Sequence, residues 1–97
     1  MRECKVIIKE MGLTHKDFFR TIKNAIGEEN LEIRSHSVVL RSGSKNLKIE
    51  LGPERKRSIG LLDFPVTHVT MSYVGYSSKA IKESLKRFNL YFKRGGG

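Results

Sequence analysis

Ninety-seven residues leave room for one domain and not two. With 38% hydrophobic and 30% charged residues the chain has globular rather than disordered composition, and at this length a core can form without disulfides or metals. The single cysteine, Cys4, excludes an internal disulfide and any cluster of thiolate ligands, and the formal charge of +9 points to an anionic partner.

In chain order, Cys4, Val6 and Ile8 alternate with Lys5 and Lys9, so residues 3–9 read as a strand. Thr14 then caps a helix, with Asp17 three residues on as a variant capping box and Leu13 and Phe18 at the spacing of a hydrophobic staple. Phe18, Ile22, Ala25 and Ile26 share one face of it, and Gly27 is the natural stop. Short strands follow around Leu31–Ile33, Val38–Leu40 and Leu47–Leu51, separated by the turns Ser35-His36-Ser37 and Ser42-Gly43-Ser44. Gly52-Pro53 breaks this pattern and Glu54-Arg55-Lys56-Arg57 reads as a charged loop. Ile59-Gly60-Leu61-Leu62 reads as a short apolar strand that Pro65 ends or displaces to an edge.

From Thr67 to Val74, Val69, Met71 and Tyr73 alternate with His68, Thr70 and Ser72, the clearest strand of the chain. Ser77 caps a last helix in which Tyr76 and Ile81 repeat the staple and Ile81, Leu85, Phe88 and Phe92 form one stripe, ending near Lys93 before Gly95-Gly96-Gly97. The expected fold is α+β: an antiparallel meander of about four to six strands with two helices packed on one face, in the order β-α-β-β-β-β-β-α. Residues 1–94 form the domain and 95–97 a flexible glycine tail.

No apolar run approaches the roughly 20 residues of a membrane-spanning helix, and Val6-Ile7-Ile8 is too short for a signal-peptide core, so the cytoplasm is the default location. None of His15, His36 and His68 stands at metal-ligand spacing from another or from Cys4, and Glu54 and Asp63 have no acid/base partner at a recognisable spacing. Neither a nucleophile elbow nor a phosphate loop is present, so the reading is a non-enzymatic binding domain without cofactor.

Charge is the strongest functional signal. Residues 1–50 carry ten Lys/Arg against seven Asp/Glu, a balance of +3, and residues 51–97 nine against three, a balance of +6. At about 100° per residue, Lys79, Lys82, Lys86 and Lys93 fall within about 60° of one another on the last helix, beside but not on the apolar stripe. Arg87 and Arg94 project further round, and Glu83 is the only acid on the helix. Arg55-Lys56-Arg57 is a second cluster, which would join the first if both lie on one side. RNA or DNA held through its phosphates is the favoured ligand, with an anionic membrane surface or an acidic protein as the other candidates. Without an aromatic stacking platform, little base readout is expected.

Two resemblances add to this reading. Gly75, Ser78, Lys79 and Lys82 at the start of the last helix, with Gly52-Pro53 upstream, loosely resemble a double-stranded-RNA-binding domain. In that family a histidine follows the Gly-Pro, where this chain has Glu54 and Arg55, and the second helix has a small-residue face, where this chain has Leu85 and Phe88. Arg94-Gly95-Gly96-Gly97 resembles the diglycine ends of ubiquitin-like modifiers and sulfur carriers, which implies an alternative role as a carrier activated at a terminal glycine carboxylate. A further alternative is a protein–protein interaction module built on Leu90 and Tyr91.

Overall fold

A computed structural model describes residues 4–26 and 31–95. The elements are β1 (Cys4–Met11), α1 (His15–Ile26), β2 (Leu31–Ile33), β3 (Ser37–Ser42), β4 (Lys45–Leu51), β5 (Arg55–Ile59), β6 (Leu62–Val74) and α2 (Ser78–Gly95). Both helices begin where a hydroxyl satisfies an orphan donor of the first turn. Thr14 Oγ1 accepts from the Asp17 amide and Ser77 Oγ from the Ala80 amide, each at 3.1 Å. Gly27, the expected stop of α1, lies outside the described residues, as do the side chains of Ala25 and Ile26. Helix α2 takes in Gly95, the first glycine of the run expected to end it, whereas Gly96 and Gly97 lie outside the described residues.

Every strand pairing is antiparallel and the sheet order is β1-β6-β4-β3-β2, with β5 pairing to β6. Strands β2 to β6 form the meander, and β1 closes beside the last strand. The register sets Val38 against Ile49 and Ile49 against Met71, and Leu47 against Tyr73, so these residues share one face. That face and both helical stripes form a single core with Phe18, Ile22, Ile81, Phe88 and Phe92. The Phe18 and Phe92 rings stack at 5.1 Å between centroids and lock α1 to α2. Buried Thr67 donates through Oγ1 to the Leu13 carbonyl at 2.8 Å, tying β6 to the β1–α1 connection.

The charged segment 54–57 is not the expected loop. Arg55, Lys56 and Arg57 lie on β5, which pairs with the first half of β6. The expected strand 59–62 is instead the turn of this hairpin, with Gly60 at φ 62°. A positive φ at that first central position alone fits a type II′ turn, which matches strand twist and favours glycine. Pro65 sits within β6 because β1 ends at Met11, opposite Thr67, and leaves Pro65 an open edge. Leu51 pairs with Val69 and Arg55 with Val66, so Gly52-Pro53-Glu54 faces only Thr67-His68: a one-residue bulge between β4 and β5.

Beyond the bulge, β5 and the start of β6 continue as a two-stranded arm. Its strand residues Arg55–Ile59 and Leu62–Phe64 are all exposed. Sequence alternation misses such an element because neither face of it joins the core. The arm accounts for a molecule 49 × 24 × 23 Å in extent, with a radius of gyration of 14.0 Å against about 12.5 Å for a compact chain of this length. No described helix is long and apolar enough to cross a membrane.

Candidate nucleic-acid interface

Packing its apolar stripe on the sheet leaves α2 with an outer face, on which Lys79, Lys82, Lys86 and Arg87 are all exposed. None of the four makes an ion pair among the described residues, and neither does Glu83. Several cations elsewhere are paired. Arg20 meets Asp17 at 2.9 Å, Arg34 and Arg41 meet Glu32 at 3.0 and 3.5 Å, Lys48 meets Glu50 at 3.9 Å and Arg57 meets Glu10 at 2.5 Å. The hydrogen bond from Arg34, and its charge, hold the Glu32 carboxyl below the usual carboxylate range. The α2 row therefore has no acidic partner, a condition it shares among the described residues with Lys5, Lys9, Lys16, Lys23, Lys45, Arg55 and Lys56.

Two cations that are remote in sequence reach the same region. Lys5 and Lys9 pair with Tyr73 and Val69, so they point to the helix-covered side of the sheet from its β1 edge. Lys5 lines a cleft with Ser78 and Ile81 of α2. The Lys9 ammonium donates to Asn89 Oδ1 and lies 5.8 Å from the Phe88 ring centroid, in cation–π range. On the α2 wheel Lys82 and Lys86 fall next to Asn89. The β1 edge therefore extends the helix's basic row to Lys5, Lys9, Lys79, Lys82 and Lys86. Nothing in the local sequence of β1 announces this, since only the pairing of the first strand with the last brings the residues together.

The opposite flank of α2 borders a groove of about 330 Å³ lined by Ile22, Leu40, Lys45, Tyr76, Arg87 and Tyr91. Lys45 lies over the Tyr76 ring at 5.6 Å. Leu90 is exposed on the outer face of α2, as its position among the lysines implies.

Arg55, Lys56 and Arg57 lie along β5 on the far half of β6, with Lys56 and its partner Pro65 on the helix-covered side of the ribbon and Arg57 reaching Glu10 of β1. Val66, opposite Arg55, is eight residues before Val74, the end of β6 that leads into α2. At 3.3 Å per residue this puts the arm root roughly 26 Å from the start of the helix. Alternation also turns Arg55 and Arg57, with their partners Val66 and Phe64, to the face of β6 opposite Val69, Met71 and Tyr73, the face the helices cover. The backbones of Lys93 and Arg94 continue α2, and their side chains lie outside the described residues.

The histidines have structural partners. His15 Nε2 donates to the Gly52 carbonyl at 2.6 Å, and Glu54 Oε1 accepts from the His15 amide at 2.6 Å, so the bulge caps the first turn of α1. The His36 ring meets His15 edge-on at 5.6 Å, and His68 lies 3.4 Å from Glu10. Among the described residues no three His, Cys, Asp or Glu side chains gather to hold a metal ion. No protein-family model, curated protein or solved structure matches the chain.

Proposed function

We propose that the protein is a non-enzymatic domain that binds RNA or DNA through its phosphates, along the outer face of α2 and the β1 edge. The observation that carries this reading is the row Lys79, Lys82, Lys86 and Arg87, exposed and without ion pairs in a molecule whose other surfaces pair several of their cations. Like charges one turn apart repel, by about 0.2–0.5 kcal/mol per close pair. An anionic polymer removes that repulsion and gains entropy from the counterions it releases. Lys5 and Lys9 widen the contact to a strip. Lys79 and Lys86 are seven residues apart, roughly 10 Å along the helix axis. Such spacing suits successive phosphates better than a single small anion.

Backbone contacts of this kind position a nucleic acid without reading its sequence. Labelled single-stranded RNA and duplex DNA, titrated with the protein at rising salt, test the proposal. Binding should weaken steeply with salt and should weaken again in the Lys82→Glu, Lys86→Glu variant. Absence of binding at low salt, or affinity indifferent to salt, refutes it.

A further inference from the structure

We propose that the β5–β6 arm docks the protein on an anionic lipid bilayer, with the turn entering the interface and the cations behind it meeting the headgroups. This site is separate from the α2 face and does not depend on the function proposed for it.

The arm is sorted along its length and across its width. Its outermost part is apolar: Ile59 is 61% exposed, Leu61 103%, Leu62 62% and Phe64 43%. Within this described surface no other six-residue stretch leaves four large apolar side chains so open, and the core has no use for them, since none belongs to it. Cross-strand register sets Ile59 opposite Leu62, Arg57 opposite Phe64 and Arg55 opposite Val66, so these six residues share one face of the ribbon. The other face carries Lys56, Ser58, Asp63 and Pro65, with Ser58 Oγ donating to Asp63 Oδ1 at 2.5 Å. The single carboxylate of the tip is thereby held on the side away from the apolar groups.

Depth matches as well. Interfacial segments bury apolar groups roughly 5–10 Å into the headgroup–acyl boundary. At about 3.3 Å per residue, Arg57 stands roughly 7 Å and Arg55 roughly 13 Å behind the Ile59–Leu62 pair. With the tip immersed, their guanidinium groups reach phosphate level. Arg55 and Lys56 have no ion pair among the described residues and are available to lipid headgroups. An apolar tip or a cationic patch alone binds weakly, and the two together give stable attachment.

Charge and layout select this occupant. A nucleic acid approaching along the arm axis would meet four apolar side chains before any cation. A second copy of the chain would bring another +9 molecule, with the same cations, against the first.

The chain contains no tryptophan, so Leu61→Trp provides a sole reporter at a position that packs on nothing. With phosphatidylserine–phosphatidylcholine vesicles its emission should shift to the blue and become shielded from iodide. Co-sedimentation should show about tenfold or greater preference for these vesicles over phosphatidylcholine alone, the preference falling in the Arg55→Glu, Lys56→Glu variant. Leu61→Ser with Leu62→Ser should cut vesicle binding about tenfold or more while leaving the urea midpoint unchanged, which shows that the fold is intact. Unshifted emission, or vesicle binding indifferent to the tip serines, overturns the proposal. So does a tip variant that weakens RNA or duplex DNA binding instead, because the arm would then serve nucleic acid. The Lys82→Glu, Lys86→Glu variant should keep the Leu61→Trp shift, so failure of the α2 reading leaves this result standing.

Discussion

The Arg57 guanidinium of β5 lies 2.5 Å from the Glu10 carboxylate of β1, although β6 runs between their two strands. His68 of β6 approaches the same carboxylate at 3.4 Å. This contact joins the root of the arm to the edge strand of the sheet. Both partners are substantially exposed, at 59% and 41%, so solvent screens the pair. A double-mutant cycle of Arg57→Ala and Glu10→Ala, read by urea unfolding, should give a coupling of about 0.2–1 kcal/mol. A larger value would mean that the arm root is held as firmly as the core.

Phe18 is fully buried and meets Phe19, Phe88 and Phe92. Phe18→Ala removes the ring that joins α1 to α2 and leaves a cavity that rigid strands cannot fill. It should cost about 3–5 kcal/mol, seen as a large fall in the urea midpoint. Leu61→Ala, by contrast, should move that midpoint by less than about 0.5 kcal/mol, because Leu61 is fully exposed.

Gly75 links β6 to α2 at φ 80°, and a Cβ there would lie 2.7 Å from the Ser44 carbonyl oxygen. Gly75→Ala combines a disfavoured backbone with a backbone clash and should destabilise by about 1–3 kcal/mol in urea unfolding. Gly60→Asn at the arm turn has open space around its Cβ and a positive φ that asparagine tolerates, so it should cost well under about 1 kcal/mol.

Burial raises the Tyr73 hydroxyl above its ordinary pKa of 10.0, partly offset by its hydrogen bond with Ser84 at 3.0 Å; burial raises Tyr76 as well. The folded protein therefore keeps protons that the unfolded chain loses. Their stabilising effect is full below pH 10, then declines as pH climbs from there through the raised folded-state values. Urea midpoints should drop above pH 10, and less steeply in Tyr73→Phe. At neutral pH that variant should lose about 0.5–1.5 kcal/mol with the hydrogen bond.

If four to five α2-side cations contact phosphates, log Kd for duplex DNA should change against log salt with a slope of magnitude about 4. The Lys82→Glu, Lys86→Glu variant should flatten it by about 2. Affinity measured at several potassium chloride concentrations for both proteins checks this, and an unchanged slope would place the contacts elsewhere.

Much of the architecture was legible locally. The caps Thr14 and Ser77, Phe18 and Ile22 of the α1 stripe, the apolar stripe of α2 and the alternation through Val69, Met71 and Tyr73 each concern residues within a turn or two of one another, and each stands as expected. The arm was not legible. Arg55-Lys56-Arg57 carries no apolar alternation because neither face of β5 joins the core, and Pro65 reads as a break where the neighbouring strand has already ended.

By itself the sequence determined the core residues of the helices and of the central strands, the order of the elements and the excess of positive charge on α2, since all three follow from side-chain type and short-range periodicity. It did not determine those of β1, where Val6 and Ile8 are exposed and Ile7 and Met11 pack on the core. Only the tertiary structure decided that β1 lies beside β6, which brings Lys5 and Lys9 to the α2 row, and that Arg55 and Arg57 turn to the face of β6 opposite the one the helices cover. Strand order and a one-residue bulge are long-range properties of backbone pairing. They fix where charges meet without leaving a mark on the residues that carry them.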